Sequence, residues 1–182
     1  RNEQAKRIRH PVGPALSDQV NQPPSPERPV GPSRDEAGNF PPATERGDSG
    51  GVLRVLYAGR FERRKGVQNL VWGVCGSERD DFRLTLVGGD TLTGPLGVSV
   101  REQLLLAVGD DERFVVGEAL SRGALAGLIC EHDVVVVPSL WECWPYAALE
   151  ALYLSRPVLG TPAGGLVELV RPGEIGRLAR AT

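Results

Sequence analysis

Apolar residues come in short, regularly spaced blocks along this chain, but only from residue 51 onward. Val52-Leu53-Arg54-Val55-Leu56-Tyr57 is a compact apolar run stopped by Ala58-Gly59, and it predicts a buried strand. Residues 67–75 carry their apolar positions at helical spacing and predict a short helix. The same reasoning gives a strand over 82–87 stopped by Gly88-Gly89, a helix over 98–108 and a strand over 113–116. A helix follows over 121–130, with Ser121 as its N-cap. The four consecutive valines within 133–137 predict a strand buried on both faces. A helix over 145–154, a strand over 157–160 and a helix opening over 166–170 complete the series. Strand and helix alternate throughout, so the expected fold class is α/β, a parallel sheet with helices on both faces. In this frame Trp72, Cys75 and Cys130 are expected in the core, and Trp141 and Trp144 as walls of a pocket.

The first fifty residues break this pattern. Nine of the fifteen prolines lie between Pro11 and Pro42, with few aliphatic residues and no sustained period. Such a segment cannot bury enough apolar area to offset its conformational entropy, so residues 13–50 are expected to be a disordered Pro-rich linker. Residues 1–12, with Ile8 and Val12 beside His10 and Pro11, are expected to be a remnant of a preceding domain. Residues 51–182 then form the folded unit.

Composition narrows the function classes. A net charge of −2 gives no reason to expect nucleic acid or an anionic membrane as partner. No apolar run approaches the roughly 20 residues of a transmembrane helix, and no signal peptide opens the chain. Cys75, Cys130 and Cys143 form no Cys-x-x-Cys pair, which fits reduced thiols and a cytoplasmic setting, with peripheral membrane contact left open for the full-length protein. The two histidines, His10 and His132, have no metal-ligand spacing. Neither a metal nor a cofactor is expected.

Parallel sheets of this kind bind ligands at the carboxyl ends of their strands. In Gly59-Arg60-Phe61-Glu62-Arg63-Arg64-Lys65-Gly66 a strand ends, a glycine permits a tight turn and a helix begins. The helix N-terminus supplies unpaired N–H groups and partial positive charge, and Arg60 and Lys65 add full charges, so the loop suits a diphosphate. By itself it is equally well a solvated basic loop. It lacks the Gly-Lys-Ser/Thr ending of a Walker A loop. In Pro138-Ser139-Leu140-Trp141-Glu142-Cys143-Trp144-Pro145-Tyr146-Ala147-Ala148-Leu149-Glu150, Glu142 sits in the loop after the valine strand. Pro145 suits a first helical turn, and Glu150 follows further along that helix. Two carboxylates and an open helix N-terminus can face one ligand bearing hydroxyls and phosphates. The spacing by itself also fits a surface Glu142 and an ordinary helix-face Glu150.

The ordered set is more specific than its parts. Pro138 to Glu150 resembles the Pro-Ser…Glu-x7-Glu signature of family-four retaining glycosyltransferases (glycosyl transferases group 1). Tyr57-Ala58-Gly59-Arg60 with Lys65-Gly66, then Val87-Gly88-Gly89, Phe114-Val115-Val116-Gly117, His132-Asp133, Pro157-Val158 and Gly164-Gly165-Leu166-Val167-Glu168 agree in order, over about residues 52 to 178. The resemblance implies a Rossmann-like donor-binding domain, one half of a GT-B fold, C-terminally truncated and without its N-terminal Rossmann-like partner domain. It implies transfer of a sugar from a nucleoside diphosphate sugar to an unknown acceptor, with retention. By resemblance, Arg60 and Lys65 hold the leaving diphosphate, Glu142 contacts the donor sugar and Glu150 accepts from the ribose. Gly59 and the backbone of Cys143, Trp144, Pro145 and Tyr146 meet phosphate or sugar, and Gly117 to Ala119 touch the base. The absence of Asp-x-Asp agrees with a metal-independent reaction. Two local departures stand out: Cys143 replaces the glycine usual after the first glutamate, and Leu154-Ser155-Arg156 lacks the glycine that often ends the helix, so strain is expected there. The alternatives are an inactive nucleotide-sugar-binding module or another GT-B enzyme. A phosphorylase would need a site for inorganic phosphate, and an epimerase would lack the glutamate pair.

Overall fold

The structure is a computed structural model that describes residues 51–170 and 176–179. The expectations for residues 1–12 and 13–50 lie outside the described residues. Six strands form one sheet: β1 (Leu53–Ala58), β2 (Phe82–Val87), β3 (Phe114–Gly117), β4 (Val134–Val137), β5 (Val158–Gly160) and β6 (Gly176–Leu178). All neighbours are parallel, in the order β3-β2-β1-β4-β5-β6. Five helices connect them: α1 (Val67–Cys75), α2 (Val100–Val108), α3 (Arg122–Glu131), α4 (Tyr146–Tyr153) and α5 (Leu166–Leu169).

Strand alternation divides the core into two layers. Leu56, Val87, Val135, Val137 and Val158 face one side and pack on α3, α4 and α5 through Ile129, Ala148, Ala151 and Leu166. Tyr57, Leu84, Leu86 and Val136 face the other side, against Val67 and Val71 of α1 and Val100 and Leu104 of α2. Adjacent residues of one strand thus enter opposite layers, as the period of two requires. The expected sheet with helices on both faces is what forms. Connections leave β1 toward β2 and return from β3 to β4, so the chain reverses its winding between β1 and β4. Their carboxyl ends open a crevice there.

Element ends follow local chemistry. Helix α2 begins at Val100 and not at residue 98, because the Ser99 hydroxyl accepts from the Glu102 amide at 2.9 Å and caps the first turn. Ser121 caps α3 in the same way, from the Ala124 amide. Strand β6 is additional to the expected strands; Gly176-Arg177-Leu178 carries no apolar run to mark it. Trp72 is not core but 61% exposed. Val67, Leu70, Val71 and Val74 already supply the inward stripe of α1, which turns Trp72 outward. Cys75, the last residue of α1, is also exposed, whereas Cys130 is buried as expected. The helix end without glycine carries its departure in the backbone: Ser155 takes φ 56°, the left-handed region that costs a side-chain-bearing residue energy.

His132 is not incidental. It is buried at the end of α3, with Nδ1 2.7 Å from the Leu128 carbonyl and Nε2 2.9 Å from the Thr85 hydroxyl. A neutral ring that donates from Nδ1 and accepts at Nε2 satisfies both partners. Burial lowers its pKa below 6.5, opposed by the Leu128 hydrogen bond, with Arg54 lowering and Glu131 and Asp133 raising it. Between the lowered value and 6.5 the unfolded chain binds more protons than the folded one, so this group makes stability rise with pH there and costs stability as pH falls below 6.5. Urea unfolding across pH 5 to 8 should show His132→Gln losing less stability on acidification than the native chain. Parallel pH profiles would show that burial does not lower the His132 pKa.

Candidate functional site

The crevice between β1 and β4 is a cleft of about 320 Å³. Its lining includes Gly59, Arg60, Lys65, Glu142, Pro145 and Glu150, all singled out from sequence, and Tyr57 and Ser139, which were not assigned roles. The loops after β1 and β4 line it, the loop after β5 packs against the β4 loop, and backbone contact fixes their separation. The loop after β1 runs through a short 3-10 turn (Arg63–Lys65) to Gly66, whose φ is 68°. A Cβ on Gly66 would lie 1.9 Å from the Pro138 carbonyl oxygen. The loop after β4 binds back, with the amides of Leu140 and Trp141 donating to the Arg64 carbonyl at 2.9 and 3.3 Å. The loop after β5 abuts the β4 loop: Gly164 has φ 49°, and a Cβ there would lie 1.7 Å from the Glu142 carbonyl oxygen. Two glycines therefore permit the approach that brings residues near positions 60, 140 and 164 together.

Lys65, Arg60 and Arg64 each pair with a carboxylate. Lys65 Nζ donates to Glu142 Oε2 at 2.5 Å, and the Ser139 hydroxyl donates to the same oxygen at 3.0 Å. Glu142 is 6% exposed and Ser139 1%. The Thr161 hydroxyl in turn donates to the Ser139 carbonyl. Arg60 pairs with Glu62 at 2.9 Å while its side chain stays 59% exposed. Arg64 pairs with the other oxygen of Glu62 at 2.6 Å and lies over the Trp141 ring, 5.5 Å from its centroid. Tyr57 donates its hydroxyl to the Arg60 carbonyl at 2.7 Å. Burial, then the charges of Glu62 and Glu142, push its pKa far above the ordinary tyrosine value, so it acts as a neutral donor that shapes the loop.

Helix α4 starts at Tyr146 behind Pro145, with no side-chain cap. Tyr146 and Ala147 of its first turn line the cleft; the Tyr146 amide donates to the Trp144 carbonyl at 3.1 Å, and the start of the helix brings partial positive charge to the cleft wall. Glu150 lies one turn further, also on the cleft wall. Leu125 of α3 closes the side opposite.

The structure separates some residues grouped from sequence. Trp144 lines the cleft, but Trp141 packs on Arg64 instead. Cys143 is exposed and does not line the cleft, although its neighbours do. Gly117 ends β3 and Ala119 follows it, two strands away from β1, and neither is among the lining residues. The Gly117 carbonyl accepts from Arg101 at 3.3 Å. Glu62, the counter-ion of both arginines, and Ser139 were missed. Ser139 had a visible signal, because it sits three residues before Glu142 within the quoted motif.

Comparison with known proteins gives the family and the fold. The family model described as glycosyl transferases group 1 matches residues 53–182. A D-inositol 3-phosphate glycosyltransferase of Arthrobacter sp. (strain FB24) is 34% identical over 130 residues, covering 70% of this chain and 31% of that protein. Sucrose-phosphate synthase from Thermosynechococcus elongatus superposes with a TM-score of 0.59 at 32% identity, over 70% of this chain and 32% of its own. Anabaena HepE, solved in complex with UDP and glucose, gives a TM-score of 0.59 at 25% identity, over 71% of this chain and 34% of its own. The chain thus spans about a third of the length of the relatives it matches. With a Rossmann-like parallel sheet of the GT-B kind and a family model that matches residues 53–182, the chain belongs to the glycosyl transferases group 1 family.

Proposed function

We propose that residues 51–182 are the donor-binding domain of a glycosyltransferase that uses a nucleoside diphosphate sugar and transfers the sugar with retention. The observation that carries the reading is the placement of Lys65 and Glu142 on one cleft wall, beside the uncapped start of α4, with Glu150 one turn along. A diphosphate fits between Lys65, Arg60 and the α4 amides. Its sugar then lies against Glu142, and its ribose against Glu150. The departing diphosphate gains negative charge, and fixed cations and helix amides stabilise that charge where it develops. Retention rests on the family likeness alone. The base contact assigned to Gly117 and Ala119 requires a donor that extends beyond the cleft lining toward β3. The acceptor site is assigned to residues outside this chain, which fits a chain covering a third of its relatives. Among the described residues no helix is long and apolar enough to cross a membrane.

Glu150 provides the test. A carboxylate accepting from ribose hydroxyls contributes about 1.5–3 kcal/mol as a charge-assisted hydrogen bond, or roughly 10- to 150-fold in affinity. Glu150→Gln should therefore weaken binding of a ribonucleoside diphosphate by at least about tenfold, and barely change binding of its 2′,3′-dideoxy form. Titration calorimetry with UDP, GDP and their dideoxy counterparts measures both. Equal losses for the two forms would remove Glu150 from the ribose.

A further inference from the structure

Glu142 is held by two donors on one oxygen, and they differ in what a ligand does to them. Lys65 Nζ and Ser139 Oγ both reach Oε2, at 2.5 and 3.0 Å. Among the described residues no donor reaches Oε1, while Glu142 lines the cleft. Lys65 also lines the cleft and has mobile cationic donors, so an arriving diphosphate competes with Glu142 for it. Ser139 cannot be drawn away in the same manner. It is 1% exposed, its carbonyl accepts from the Thr161 hydroxyl, and its own hydroxyl has the buried carboxylate as acceptor.

We infer that Ser139 is the positioning residue that keeps Glu142 aimed at the donor sugar once the diphosphate has engaged Lys65. With Lys65 turned toward phosphate, the Ser139 hydroxyl is the remaining donor that pins Oε2. Oε1 then stays presented to a sugar hydroxyl. Without Ser139, the carboxylate of the ligand-bound state has no protein donor and rotates among several orientations. Thr161 acts one step back by fixing the Ser139 backbone. The inference rests on the donor reading above, since it presumes a sugar beside Glu142.

The test separates the sugar from the diphosphate. Calorimetry on the chain gives dissociation constants for UDP and UDP-glucose, and for GDP and GDP-mannose. The ratio within each pair is the contribution of the sugar. Ser139→Ala should leave the diphosphate constant within about twofold and erase a sugar contribution of about tenfold, the size of one charge-assisted hydrogen bond. Ser139→Thr keeps the hydroxyl and should restore the contribution. In a Glu142→Gln background, Ser139→Ala should change nothing further. Unchanged diphosphate affinity also certifies that the Ala variant folds. Should that variant not fold, Thr161→Val takes its place, with a smaller loss of the same sugar contribution. An intact sugar contribution in Ser139→Ala overturns the inference. So does equal weakening of diphosphate and sugar nucleotide, which would make Ser139 a structural residue. A native chain that binds the diphosphates but gains nothing from the sugar overturns it too. A native chain that binds none of the four ligands overturns the donor reading itself, and the inference with it.

Discussion

Lys65→Ala is expected to lower nucleoside diphosphate affinity by roughly 10- to 100-fold, the worth of a charge-assisted contact to phosphate, and to leave nucleoside affinity nearly unchanged. It should also destabilise the fold. Glu142 has only 5% of its side chain exposed, and Lys65 is its cationic partner. Removing one member of such a pair strands the other charge in a poorly solvated place. Lys65 is itself 21% exposed, so water offsets part of that penalty, and a loss of about 2–3 kcal/mol is expected, below the range for fully buried pairs. Lys65→Ala with Glu142→Gln removes both charges and should recover most of the stability without recovering diphosphate affinity. Urea unfolding measures the first effect and calorimetry the second. Equal weakening of nucleoside and diphosphate would exclude Lys65 from phosphate binding. Unaltered stability in the single variant would mean the ion pair is not formed.

The second large effect is expected at Gly66, which has no side chain to lose. Alanine there must hold φ near 68° and place its Cβ 1.9 Å from the Pro138 carbonyl oxygen. The left-handed conformation costs about 1–2 kcal/mol, and relieving the overlap forces two loops apart, so a total above 3 kcal/mol is expected. Those two loops carry Lys65 and Glu142, so nucleotide binding should be lost with the stability. Gly73→Ala is the matched control. It lies within α1 with nothing within 4 Å of its Cβ, and should stabilise the fold by about 0.5–1 kcal/mol without affecting binding. Thermal unfolding and calorimetry on both variants check the pair. A tolerated Gly66→Ala would mean that the two loops are not in contact.

The sheet was legible from β1 to β5 because each of those strands carries an apolar run that ends at a glycine or proline. Residues 133–137 predict a strand buried on both faces, and β4 lies between β1 and β5. What period does not carry was lost. Gly176–Leu178 has no apolar run, and Trp72 is apolar yet faces outward because the aliphatic residues of α1 fill its inward stripe. The cleft residues were legible as separate motifs from the two loops. Their pairing was not: Lys65 and Glu142 lie 77 positions apart, and each was read as a ligand contact rather than as the partner of the other. The same holds for Glu62, which looked like one more charge in a basic loop but neutralises Arg60 and Arg64. Side-chain pairing across loops depends on loop closure, which the close approach at Gly66 and Gly164 sets and which no local pattern records. Ser155 shows the converse case. A missing glycine was visible in sequence, and the backbone takes φ 56° there with a serine in place.

The central claim is that the crevice between β1 and β4 binds a nucleoside diphosphate sugar. It is tested most directly by amide chemical-shift mapping, titrating UDP-glucose and GDP-mannose into the isotopically labelled chain. Saturable shifts are expected at Gly59 to Lys65, Ser139 to Trp144, Tyr146 to Ala148 and Glu150, the residues of the two loops and the first turns of α4. Lys65→Ala should weaken those shifts without redistributing them. Saturable shifts confined instead to the separate hollow beside Trp72, Gly94 and Gln103, with the residues around Lys65 and Glu142 silent, would contradict the account.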